Sequence, residues 1–152
     1  MTKSKFVYVT YIRTTPEKLW EALLNPKFTR VYWFGVTQES EWKQGSPWKM
    51  VFSDGRVADT GEILEIEKPR RLVIKWRNEF RPELKAEGYS KCTIELEPAP
   101  DSVKLSILHE IDQPESKFIE KISGGWPKIM SSLKSLLETG KALEEIASTP
   151  KS

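Results

Sequence analysis

The chain has 152 residues and a net charge of +2, with 24 basic residues interspersed among 22 acidic ones, so it has the length of one domain and lacks the basic field that a nucleic-acid partner demands. A single cysteine, Cys92, and a single histidine, His109, exclude an internal disulfide and a Cys/His zinc site, so no metal or other cofactor is expected and a reduced, cytoplasmic setting fits best. No stretch approaches the roughly 20 consecutive apolar residues of a membrane span.

The opening MTKSKFVYVTYIRTT carries lysines but no apolar run before a small-residue cleavage site, so it reads as a strand rather than a signal peptide. Phe6 to Ile12 alternates and is β-rich. Thr15-Pro16 then opens a helix, with threonine as N-cap and proline at the first helical position. Leu19/Leu23 and Trp20/Leu24 give that helix an apolar face. Asn25-Pro26 stops it and caps a second short helix over Lys27 to Tyr32.

From Val36 to about Ile111 the period changes to two. Trp48, Met50 and Phe52 share one face of a strand, and Ser53-Asp54-Gly55-Arg56 is a tight-hairpin signal. The return strand runs from Val57 to Glu67, and its Glu62, Glu65 and Glu67 read as solvated alternation, with Arg56 and Asp59 near the hairpin equally uninformative. Lys68-Pro69-Arg70-Arg71 is a solvated turn, too short for a phosphate footprint. Leu72, Ile74 and Trp76 alternate on the next strand, before a charged connection, NEFRPELKAEG, that carries an exposed-looking Phe80. Cys92, Ile94 and Leu96 alternate, then a turn cluster at Pro98–Ser102, then Val103, Leu105, Ile107 and His109 on the last strand.

After Pro114 the period returns to 3.6, with Phe118, Ile122, Trp126, Ile129, Leu133 and Leu136/Leu137 on one stripe. Pro127 lacks an N–H and crowds the preceding turn, and Gly124-Gly125 make a bend inexpensive. The pattern therefore predicts a helical element over 115–139, kinked or restarted near 124–126, with Trp126 turned inwards and Gly140 as its stop. Ala147 to Ser152 reads as a frayed tail. A strand, two short helices, an antiparallel meander and one long amphipathic helix make an α+β domain, with the helix laid across the concave face of a curved sheet.

Two side chains could carry chemistry. His109 is in phase with Val103, Leu105 and Ile107 and points inwards; it can be a hydrogen-bonded core residue, a polar anchor for a ligand, or an acid/base group. Cys92, in phase with Ile94 and Leu96, is a small buried hydrophobe, because nothing nearby lowers a thiol pKa. Gly124-Gly125 lacks the lysine and spacing of a phosphate loop. The six tryptophans either fill a core or line a cavity.

Pro16-Glu17-Lys18-Leu19-Trp20 after the first strand resembles the opening of START-like (SRPBCC), helix-grip domains. Trp33-Phe34, Pro69-Arg70-Arg71-Leu72 with Trp76, and Gly125-Trp126-Pro127 followed by Leu133-Lys134 and Leu137-Glu138 resemble one branch of them, named after the C-terminal domain of the activator of the heat-shock protein 90 ATPase. The resemblance implies one START-like domain over 1–152, with its core at about 5–140 and a tail at 141–152. It also implies a helix-grip fold of about seven antiparallel strands around the C-terminal helix, with a cavity between them. Relatives bind lipids, polyketides, flavonoid-like aromatics or hormones; some are cyclases, and the namesake stimulates a chaperone.

This sequence shows no acid/base set and leaves no room for the namesake's separate chaperone-binding domain. A non-catalytic ligand-binding role is therefore expected first, with a chaperone or other protein partner and a cyclase- or hydrolase-type enzyme as alternatives. The candidate ligand contacts are Trp33, Trp48, Met50, Trp76, His109, Phe118, Ile122, Trp126 and Met130.

Overall fold

The computed structural model describes residues 3–144, and the expected frayed tail at Ala147 to Ser152 lies outside them. Strand β1 (Ser4–Ile12) is followed by helices α1 (Pro16–Leu24) and α2 (Pro26–Tyr32). Next comes a run of strands, β2 (Thr37–Ser40), β3 (Pro47–Val51), β4 (Val57–Glu67) and β5 (Arg71–Asn78). A single-turn helix α3 (Pro82–Lys85) precedes β6 (Ser90–Ala99) and β7 (Ser102–Ile111), and helix α4 (Lys117–Thr139) closes the order. The strands form one seven-stranded antiparallel sheet in the order β1-β7-β6-β5-β4-β3-β2. The meander runs from β2 to β7, and α1 and α2 carry the chain from one sheet edge to the other. This is the helix-grip architecture expected from the sequence.

Local chemistry sets the helix ends. The Thr15 hydroxyl accepts from the Lys18 N–H at 3.3 Å at the start of α1, and Pro16 fills its first position. Asn25 ends α1 by donating its backbone N–H to Glu21, then starts α2 by accepting the Lys27 N–H on Oδ1 at 2.9 Å. Ser116 caps α4, accepting from the Ile119 N–H at 3.1 Å. Gly140, with φ of 86°, closes it in the left-handed conformation that glycine adopts without steric cost.

Of the kink or restart expected near 124–126, the restart does not occur. Helix α4 runs unbroken for 23 residues with Pro127 inside it. Packing explains why: Phe118, Trp126, Met130 and Leu133 are all buried, and each large apolar side chain removed from water contributes about 1.5–3 kcal/mol. Together these exceed the roughly 3 kcal/mol that a mid-helix proline costs. Polar ties fix both ends of the helix. Glu87 accepts from the Lys117 N–H at 2.8 Å, where a negative charge suits the helix N-terminus. At the other end Glu138 accepts the Arg13 N–H at 2.9 Å and Lys134 donates to the Tyr11 carbonyl.

The core lies between the sheet and α1, α2 and α4, and contains Leu19, Trp20, Leu23, Ile63, Ile74, Leu105, Ile107 and Leu133. Gly61 faces Trp48 across β3 and Trp76 across β5, and the two indoles pack with centroids 4.6 Å apart. A Cβ at Gly61 would fall 1.6 Å from the Lys75 carbonyl oxygen, so no side chain fits there.

Candidate functional site

A cleft of about 620 Å³ opens between the β3–β5 end of the sheet and the first half of α4. Trp76 from β5 and Trp126 from α4 form its back, their rings 5.9 Å apart at 68°, and Trp33 after α2 stands 5.5 Å from Trp126. Met50, Phe118 and Ile122 complete the inner wall. Of the nine candidate contacts read from the sequence, these six line the cleft. The other three sit behind its wall: Trp48 is 2% exposed, and His109 and Met130 are wholly buried.

The indole N–H groups of Trp48 and Trp126 are engaged behind the cleft wall. Trp48 Nε1 donates to Gln38 Oε1 at 3.0 Å, and Gln38 in turn donates to the Leu23 carbonyl at 2.7 Å. Trp126 Nε1 donates to His109 Nδ1 at 3.2 Å. That bond makes Nδ1 the acceptor nitrogen, so Nε2 carries the proton and meets the Ser90 hydroxyl at 2.9 Å. Ser90 passes its own hydrogen to the Trp76 carbonyl at 2.9 Å. Both imidazole nitrogens are thus occupied inside the wall, and burial pushes the His109 pKa down to about 3, keeping the ring neutral. Burial likewise pushes the Cys92 thiol far up, which leaves it inert as a nucleophile.

Sequence reasoning missed the cleft's principal polar group. Asp59 on β4 lies between Met50 on β3 and Asn78 on β5, is 7% exposed, and lines the cleft with both neighbours. Its Oδ2 accepts the Trp76 indole N–H at 2.7 Å. Burial raises the carboxyl to a pKa of about 7; the Trp76 bond opposes the rise and the Glu79 charge assists it. One strand away Glu79 behaves oppositely. Burial pushes it up, but hydrogen bonds from Thr60, Arg77 and Lys85 outweigh that and hold its carboxyl at about 2. The available signal was phase: Asp59, Gly61 and Ile63 alternate together, and Ile63 is wholly buried.

The mouth is formed by the β3–β4 hairpin, the 78–84 connection and α4. Phe52 and Phe80 meet edge to face at 5.0 Å, with the guanidinium of Arg56 over the first ring and that of Arg81 over the second. Phe80 is therefore half-buried, because a ring from the distant hairpin covers it, and not exposed as its charged neighbours suggested. Lys121 and Lys128 add positive charge at the rim. Gly124 and Gly125 also border the cleft, and a Cβ at either would meet open space. Among the described residues no three His, Cys, Asp or Glu side chains gather as a metal site, and no helix is long and apolar enough to cross a membrane.

The sequence profile of the family described as Activator of Hsp90 ATPase homolog 1-like protein matches residues 13–138. Solved structures with the same fold include a protein from Mesorhizobium loti, at 23% identity and a TM-score of 0.75 over 89% of this chain and 97% of that one. A protein from Cytophaga hutchinsonii is 29% identical, with a TM-score of 0.71 over 90% and 95% of the two chains. An HSP90 activator from Plasmodium falciparum is 23% identical, with a TM-score of 0.71 over 88% and 95%. No curated protein matches the sequence significantly.

Proposed function

The chain belongs to the Activator of Hsp90 ATPase homolog 1-like family, and from that premise we propose that it binds a small, largely apolar, aromatic or lipid-like molecule in the cleft between sheet and helix, without catalysing its conversion. The observation that carries this reading is the cleft itself. A close-packed core leaves few voids larger than a water molecule, whereas small-molecule sites occupy about 300–1,000 Å³ and are mainly apolar with a few placed polar groups. A cleft of about 620 Å³ walled by Trp33, Trp76, Trp126 and Phe118, with Asp59 and Asn78 at its floor, matches the second description.

Titration with a panel of lipids, polyketides and flavonoids tests it. Ligands that occupy the cleft contact Trp76 and Trp126 and shift both the tryptophan emission and the melting temperature. A panel that moves neither sinks the proposal.

A second reading, a role on a chaperone, draws on the Plasmodium falciparum relative described as an HSP90 activator. Its test is direct: purified Hsp90 ATPase turnover measured with and without this protein. Unchanged turnover removes it.

A further inference from the structure

Asp59 is costly to the fold and the fold does not require it. Among the described residues its one side-chain partner is the Trp76 N–H, a donor that any neutral acceptor could satisfy. A carboxyl group in apolar surroundings loses hydration that one neutral hydrogen bond does not restore. Natural chains carry such groups chiefly where a site uses them. This one is buried, lines the cleft, and sits beside Asn78, whose Oδ1 is already occupied by the Arg81 N–H at 2.9 Å.

We propose that Asp59 is the polar anchor of the cleft and recognises a hydroxyl group carried on a flat aromatic ligand. The inference rests on the ligand-binding reading above and names the class of molecule. Flat aromatic bodies fit because the wall is built on three indole rings, with Trp126 set at 60° to Trp33 and 68° to Trp76, which favours stacked and edge-on contact.

The hydroxyl follows by comparison with other polar groups. A ligand carboxylate meets like charge at Asp59. An ammonium group must pass a mouth where Arg81, Lys121 and Lys128 stand beside the ion pair of Arg56 with Asp54. An ether or ketone can only accept, and pairs with Asp59 only when that acid is protonated. A hydroxyl both donates and accepts, so it pairs with Asp59 in either protonation state. The N–H groups of Trp76 and Trp126 in the back wall are both engaged within the protein.

The test compares 2-naphthol with 2-methoxynaphthalene at about pH 8, where an acid that titrates near 7 is mostly ionised. Binding is followed through the indole N–H resonances of Trp76 and Trp126. The wild type should prefer 2-naphthol by about tenfold or more, the scale of one hydrogen bond to a charged group. Asp59→Asn keeps an acceptor for Trp76 and offers an N–H to the cleft, so it should bring the two probes within about threefold of each other. Equal binding by the wild type overturns the anchor while leaving the ligand-binding reading intact, and this comparison needs no variant. A preference that survives unchanged in Asp59→Asn also overturns it, as does tighter binding of 2-naphthylmethylammonium than of 2-naphthol. If neither neutral probe shifts the two indole resonances, the cleft is not a site for such aromatic molecules and the anchor falls, while the lipid arm of the panel above still decides the ligand-binding reading.

Discussion

The Trp126 indole N–H points into His109 Nδ1 at 3.2 Å, and this one bond assigns the histidine its tautomer and its role. A neutral ring that joins α4 to β7, and through Ser90 to β5, holds the back wall of the cleft in place without entering it. His109→Ala strands the Trp126 and Ser90 partners and opens a void, so it should cost about 2–4 kcal/mol at pH 7 by urea unfolding. The cleft's shape should suffer more than any chemistry, so loss of binding should track loss of stability.

His109 and Asp59 should tilt stability against pH in opposite directions. His109 falls from its ordinary 6.5 to about 3, so the folded state binds fewer protons than the unfolded one between those values, and stability is lost as pH falls through that window. Asp59 rises from 3.8 to about 7, so the folded state binds more protons there, and its contribution is full below about 4 and lost as pH rises through 7. Each single group is worth up to about 1.4 kcal/mol per pH unit inside its window. Between about pH 4 and 6.5 the two slopes oppose. Urea unfolding of His109→Gln should show stability falling as pH rises across that range, and Asp59→Asn should show it falling as pH drops. The same sign in both variants contradicts the assignment.

At pH 8 Asp59→Asn should be more stable than the wild type by about 1 kcal/mol or more, because it removes a buried charge while keeping the Trp76 hydrogen bond. Thermal unfolding at pH 8 and pH 5 checks it, and the gain should shrink at the lower pH.

Gly125 offers a clean separation of stability from binding. An alanine there enters open space within a helix, so Gly125→Ala should stabilise by about 0.5–1 kcal/mol. Gly125→Leu extends a side chain towards the same cleft and should block aromatic probes while the protein still melts cooperatively. Unimpaired probe binding by Gly125→Leu places the site elsewhere.

Gly61→Ala should be among the most damaging small substitutions in the chain. Its methyl group collides with the backbone of β5 at Lys75, which cannot rotate aside as a side chain can. A loss of about 3 kcal/mol follows from forced separation of β4 from β5, read as a lower melting temperature or insoluble expression.

Much of this fold was legible because its signals are local. Thr15-Pro16 caps α1, Asp54-Gly55 turns β3 into β4, and the alternation of Val103, Leu105, Ile107 and His109 marks the buried face of β7. The misreadings each involve a partner distant in sequence. Phe80 is covered by Phe52, and α4 does not restart at Pro127 because the sheet packs against it. Asp59 was legible by phase with Ile63 but not by chemistry. A charged residue three positions after a tight turn reads as solvated until the cleft that receives it is known. Likewise the inward phase of His109 was visible, but Trp126 and Ser90 as its two partners were not.

The order of elements along the chain has a consequence for how the protein comes into being. Met50, Trp48 and Trp76 all precede α4, the helix that covers them, so during synthesis the aromatic face of the sheet is complete before its cover exists. Until the helix docks, that face is an open apolar surface of the kind on which nascent chains stick to one another. The ties of α4 to Glu87 at one end and to Arg13 and Tyr11 at the other are therefore more than fasteners. They hold the cover that turns an open, sticky sheet into a vessel.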